Sequence, residues 1–114
     1  MSIICVLVTF QPDIDLLAGC INSIATQVNK IYVVDNTPTA VDFSEVELVH
    51  NIEIIHLHEN IGIAAAQNVG IVKALSDNAT YILLSDQDTI YPSDYVNQML
   101  PVFSQHPSAA AIAP

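Results

Sequence analysis

The apolar residues of this chain gather in short runs rich in Ile and Val, and segments of helical period lie between them. Runs at residues 3–9, 30–35, 53–57, 81–85 and 109–113 read as strands. They hardly alternate between apolar and polar positions, the pattern of strands covered on both faces. A first helix is predicted after Pro12, with Asp13 and Asp15 near its positive end and Leu16, Leu17, Cys20, Ile21 and Ile24 as its buried stripe. A second spans residues 63–75, with Ile63, Gly70, Ile71 and Leu75 inward. A third begins near Pro92 and carries Tyr95, Val96, Met99, Leu100 and Phe103, with Pro101 expected to kink it or end it early. Residues 36–51 read as a long loop with one helical turn over residues 43–48. Strands separated by helices imply an α/β fold with a mainly parallel sheet flanked by helices and joined by right-handed crossovers.

In such a sheet, ligands bind at the carboxyl ends of the strands. The unusual polar groups cluster there: Thr9, Phe10 and Gln11 after the first strand, Asp35 and Asn36 after the second, His58, Glu59 and Asn60 after the third, and Asp86, Gln87 and Asp88 after the fourth. Two carboxylates two residues apart repel each other unless a cation lies between them, and oxygen ligands suit a hard divalent ion such as Mg²⁺ or Mn²⁺. An exposed turn with two solvated Asp would present the same residues. Asp35 could accept hydrogen bonds from a base or a ribose, or simply form a turn. Asn60 and Gly62 fit a helix start, with Asn60 capping and Gly62 allowing a tight turn and a close backbone approach. Gln67 and Asn68 are adjacent amides one turn into the second helix, where they are poor helix formers unless put to use.

Composition narrows the classes. The 114 residues include 12 Asp and Glu against two lysines and no arginine, for a net charge of -10, although only 12% of residues are charged. Lys30 and Lys73 cannot build a nucleic-acid surface, and anionic lipid would be repelled. A phosphorylated ligand would have to be neutralised by a metal and by backbone N–H groups at a helix start. No apolar run approaches the ~20 residues of a membrane span. The amino-terminal run has no basic flank or small-residue cleavage site, which points to a cytoplasmic protein. Cys5 and Cys20 lack metal-ligand spacing and read as reduced core thiols. His50, His56, His58 and His106 form no helical pair and read as structural or surface groups, and the four tyrosines as packing or strand-edge residues.

Taken in order, Val8-Thr9-Phe10-Gln11-Pro12, Val33-Val34-Asp35-Asn36, Glu59-Asn60-Ile61-Gly62-Ile63-Ala64-Ala65-Ala66-Gln67-Asn68 and Leu83-Leu84-Ser85-Asp86-Gln87-Asp88 resemble the inverting family 2 glycosyltransferases. The Asp-Gln-Asp wording, a DXD-type motif, and the Gly-Ile-Ala-Ala-Ala-Gln-Asn helix start are similar to the bacterial rhamnosyltransferase subgroup that builds O-antigen and related polysaccharides. The resemblance implies a GT-A, Rossmann-like fold that binds a nucleoside-diphosphate sugar, dTDP-rhamnose in that subgroup. By the same likeness, Thr9 and Phe10 would line the base pocket, Asp35 would bond the base, and Asp86 would lie near the ribose or sugar. Asp88 would coordinate a metal bridging the diphosphate, while Asn60, Gly62, Gln67 and Asn68 would face the donor. An acceptor hydroxyl, on a glycan or lipid-linked glycan, would attack with inversion, assisted by a carboxylate base.

The likeness places that base and the acceptor-binding part beyond Pro114, so residues 1–114 are expected to be a truncated, donor-binding part without turnover of its own, in a full-length enzyme at the cytoplasmic face of the membrane. Such a module could be metal-dependent yet inactive. A sugar nucleotidyltransferase fits less well, because Phe10-Gln11-Pro12-Asp13 has neither the glycines nor the bases of a phosphate loop. A receiver-like domain would need an acidic cluster after the first strand and a phospho-accepting Asp after the third. A sheet cut after its fifth strand would also leave an apolar edge able to self-associate.

Overall fold

The β-branched run Ile3–Thr9 forms β1, and the structure, a computed structural model that describes residues 1–105, sets every other strand parallel to it. Around it lie α1 (Ile14–Ala25), β2 (Lys30–Asp35), β3 (Ile52–His56), α2 (Ile63–Ser76), β4 (Tyr81–Ser85) and α3 (Tyr95–Gln105). The strand order is β3-β2-β1-β4. The expected strand at 109–113 lies outside the described residues. β1 and β2 are central and buried, whereas β3 and β4 are edges, so continuous burial holds only for the middle pair. Leu84, on β4, is 46% exposed. β3 sits one residue earlier than expected, because His58 takes a φ of +62° and turns the chain away.

Two cores flank the sheet. On one face, Leu17, Cys20, Ile21 and Ile24 of α1 pack with Cys5, Leu7, Ile31 and Val33, joined by Val96 of α3. Asp13 caps α1, accepting from the N–H groups of Asp15 and Leu16 at 3.0 and 3.2 Å. Leu16, expected in the buried stripe, is 54% exposed, since the stripe continues instead to Ala25. The loop after β2 contributes Phe43 and Val46 to this core through the expected helical turn, with the N–H groups of Val46 and Glu47 donating to the Phe43 carbonyl. α3 starts at Tyr95 and runs through Pro101 rather than ending there. A mid-helix proline forfeits one backbone hydrogen bond, and Pro101 itself is exposed.

The opposite face is closed by α2; of its expected inward residues Gly70 is buried and Ile71 half-buried, but the two outer ones are wrong. Ile63 and Leu75 are each 60% exposed, while Ala66, Gly70 and Ala74 are buried. The reason is distance. A Cβ on Gly70 would stand 2.3 Å from Cγ1 of Val6 and 3.2 Å from Cγ2 of Val34. Only a face of small residues lets α2 ride this close to β1 and β2, so its larger apolar groups turn outward. Gly70→Ala should cost about 1–3 kcal/mol in urea unfolding, and Val6→Ala should recover part of that loss in the double variant.

Both cysteines are free and buried, as expected. Burial pushes the Cys5 thiol far above its ordinary 9.0, and burial likewise raises Cys20. Tyr91 is pushed up to about 12, again chiefly by burial. An unfolded chain therefore releases these protons first, so stability should be intact below pH 9.0 and fall as pH climbs above it. For Cys5 the slope should be about 1.4 kcal/mol per pH unit. Unfolding midpoints measured between pH 8 and 10.5 should decline, and Cys5→Ala should decline less steeply from a lower start.

Candidate functional site

The parallel order places four strand ends along one edge, and hydrogen bonds from short polar side chains tie their loops together. At its centre, Thr9 and Asp35 are register partners on β1 and β2. Asp35 is 2% exposed, and its Oδ1 accepts from the Thr9 hydroxyl at 2.8 Å, the Thr37 hydroxyl at 2.8 Å and the Thr37 N–H at 3.3 Å. Its Oδ2 takes no hydrogen bond from the described residues, yet is not among the fully enclosed polar atoms. One oxygen is thus saturated from inside while the other has no hydrogen-bond partner among the described residues. Thr9 is itself fully buried and serves Asp35 directly, while Phe10, 40% exposed, stands at the rim.

Outward from this centre the links continue. The Gln11 N–H donates to the Thr37 hydroxyl at 2.8 Å. Asn36 spans the loop after β3, accepting from the Ile61 N–H at 3.3 Å and donating to the Gly62 carbonyl at 3.2 Å. Asn60, expected to cap α2, instead accepts from the Gly62 N–H at 3.0 Å. The capping position belongs to Gly62, whose φ of +87° and ψ of 160° are close to glycine-only backbone. No side chain caps this helix start, and a Cβ on Gly62 would meet nothing within 4 Å. The first-turn N–H groups of α2 therefore face open space at the edge, where a helix terminus favours an anion.

Beyond β4, Asp86 and Asp88 are both exposed. Underneath, the Asp86 carbonyl accepts from Sγ of Cys20 at 3.4 Å and from the Ser85 hydroxyl at 2.9 Å, and the Tyr91 hydroxyl donates to Ser85 at 2.8 Å. Ser23 and Gln27 hold the segment that follows, through the Tyr91 N–H, the Val96 N–H and the Pro92 carbonyl. A cleft of about 290 Å³ opens beside this turn, lined by Gln67, Leu84, Asp86, Tyr91 and Tyr95 among others. Gln67 and Asp86 are thereby brought together. Asn68 is exposed and does not line the cleft.

Among the described residues, no three His, Cys, Asp or Glu side chains converge to hold a metal. Two exposed carboxylates do fit Mg²⁺ or Mn²⁺ arriving with a ligand, because Mg²⁺ is commonly held by one or two carboxylates plus phosphate oxygens and water. The electrostatics point the same way. Lys30 begins β2, where it pairs with Glu53 at 3.4 Å and lies 3.8 Å from Asp77, and Lys73 sits in the last turn of α2. Both lie at the amino edge of the sheet, and the chain has no arginine, so neither lysine nor arginine serves the carboxyl edge.

Thr37, Ser85, Tyr91 and Cys20 are not anticipated at the site, and Asn36 and Gln87 are expected there only as polar groups at strand ends; apart from Ser85 and Tyr91, which also line the cleft, these side chains bind backbone or one another. For Asn36, Thr37, Ser85 and Gln87 the signal is position at or next to a strand end, whereas Cys20, within α1, and Tyr91, six residues past Ser85, carry none. Thr9→Val, close in shape but without the hydroxyl, should lower stability by roughly 1–2 kcal/mol in urea unfolding, as expected for a lost hydrogen bond to a buried carboxyl group.

Comparison with known proteins gives the family. Residues 4–114 match the family described as Glycosyl transferase family 2. The chain is 30% identical over 98 residues to the "dTDP-rhamnosyl transferase RfbF" of Shigella flexneri, an alignment that covers 86% of this chain and 33% of that protein. It thus spans about a third of that relative's length. With a parallel α/β sheet, polar groups gathered at its carboxyl edge and a family match over nearly every residue, the chain belongs to glycosyl transferase family 2.

Proposed function

We propose that the protein transfers a sugar, rhamnose, from a dTDP-linked donor to a hydroxyl of a polysaccharide or lipid-linked acceptor, and that the carboxyl edge described above is its donor site. The observation that carries this reading is the charge layout. Two exposed carboxylates and an uncapped helix start share an edge that has no lysine or arginine, which suits a diphosphate accompanied by a divalent cation. The choice of dTDP and rhamnose rests on the name of the Shigella flexneri relative. The family match, and a first loop of Phe10-Gln11-Pro12-Asp13 without glycine or base, favour transfer over nucleotidyl chemistry.

In this reading each residue has a bounded task. Oδ2 of Asp35 accepts a hydrogen bond from the base, held in place by Thr9 and Thr37 on the other oxygen. Phe10 covers the base at the rim. The Gly62 turn exposes the first N–H groups of α2 to the diphosphate, and Gln67 offers its amide to the donor within the cleft beside Asp86. Asp86 and Asp88 would hold Mg²⁺ or Mn²⁺, which supplies Lewis-acid relief of the charge gathering on the departing diphosphate. The acceptor hydroxyl attacks the anomeric carbon from the face opposite the nucleotide, with inversion, after losing its proton to a carboxylate base. We assign that base to none of the described residues.

Calorimetric titration with dTDP in Mn²⁺ should give binding that EDTA abolishes and that Asp88→Ala weakens at least tenfold, about 1.4 kcal/mol. Binding that persists in EDTA would rule out a cation between protein and diphosphate.

A further inference from the structure

The ladder between β1 and β4 ends at the pair Leu7 and Ser85, although β1 itself continues to Thr9. Past that point β4 has turned into Asp86-Gln87-Asp88 and no longer presents a strand. The side chain of Gln87 stands in for it. The Phe10 N–H donates to Oε1 of Gln87 at 3.0 Å, and Nε2 of Gln87 donates back to the Phe10 carbonyl at 3.4 Å. A primary amide carries one carbonyl and one N–H₂ group and can meet both backbone groups of a single residue. The second contact is the longer and weaker of the two.

We infer that Gln87 is a positioning residue: its two-point grip on Phe10 sets the distance and angle between the acidic turn and the loop after β1. Asp86 and Asp88 flank it in sequence, so any swing of the turn about β4 moves both carboxylates. From below, Cys20 and Ser85 hold only the Asp86 carbonyl. From the side, Gln87 supplies the contact that relates the turn to the Thr9 and Asp35 centre. This inference rests on the donor reading, in which base and diphosphate are bound at those two places. A ligand of fixed length bridging them is sensitive to their separation, since misplacement of about 1 Å can cost orders of magnitude in a preorganised site.

The middle residue of the motif is therefore functional through backbone contact, without touching substrate. Neutrality suits it to the task. A lysine there could not accept from the Phe10 N–H, and a carboxylate could not donate to the Phe10 carbonyl.

The test pairs amide hydrogen exchange with nucleotide binding in the wild-type chain, Gln87→Leu and Gln87→Glu. Gln87→Leu should speed exchange at the Phe10 amide about tenfold while leaving core amides such as that of Val6 protected, and should weaken dTDP binding in Mn²⁺ by roughly three- to tenfold, the worth of one net hydrogen bond. Gln87→Glu keeps an acceptor for the Phe10 N–H and should restore its slow exchange. Unchanged exchange at Phe10 in Gln87→Leu would overturn the grip itself. Faster exchange with unaltered dTDP affinity would show a purely structural contact and overturn the positioning role. A wild-type chain that binds no dTDP at all would overturn the donor reading and the positioning role with it, while exchange at Phe10 would still decide whether the grip exists.

Discussion

The carboxyl edge of this sheet is organised around a single buried carboxyl group. Asp35 ends β2 beside Thr9, and one of its oxygens collects three donors from Thr9 and Thr37. A carboxylate taken out of water is tolerated only when its hydrogen bonds are made inside the protein. Meeting that requirement fixes more than Asp35. Thr37 must curl back over the strand end, which brings its hydroxyl under the Gln11 N–H and so binds the loop after β2 to the loop after β1. Asn36, held between them, is then aimed at Ile61 and Gly62. The positions of three loops follow from satisfying one acid.

Legibility from sequence followed the size of the physical signal. Strands β1, β2 and β4 were readable to the residue, because apolar runs of five to seven residues bounded by polar turns have the length of strands rather than of helices. Asp35, Asp86 and Asp88 were placed at strand ends by the same periodicity. α2 misled on its faces. Gly70 faces inward as expected, but the large Ile63 and Leu75 were expected beside it, whereas close approach to Val6 and Val34 puts Ala66 and Ala74 there instead. Hydropathy records transfer from water but not the distance between backbones, so a helix packed on small residues looks inverted. The partners of Asn36, Gln87 and Cys20 were equally invisible, since they depend on which loops meet, and loop meeting is set by three-dimensional register rather than by local pattern.

The apolar outer surface of α2 and the uncapped start of the same helix have a common origin. Small residues on the inner face bring the helix axis low over β1 and β2. Entering that low path from β3 takes a sharp turn, which Gly62 provides with backbone that other residues adopt only under strain. A residue in that conformation cannot also cap the helix with its side chain, and Gly62 has none. The open first-turn N–H groups are therefore a consequence of how closely α2 packs, and an anion-favouring terminus arrives at the strand ends without lysine or arginine.

Charge and amide chemistry divide the work in a way that the composition only hinted at. Both lysines are stationed at the amino edge, one of them engaged with Glu53 and close to Asp77. At the carboxyl edge, the loops are instead joined by Asn36, Thr37 and Gln87. Had lysine or arginine made those joints, their charges would have collapsed onto Asp35, Asp86 and Asp88, neutralising the acids and filling the space between them. Neutral amides and hydroxyls satisfy backbone N–H and carbonyl groups alike and leave the carboxylates unpaired. An edge built this way keeps its negative potential while its geometry stays fixed, a combination that a cation arriving with a phosphorylated ligand can use and that a permanently neutralised edge could not.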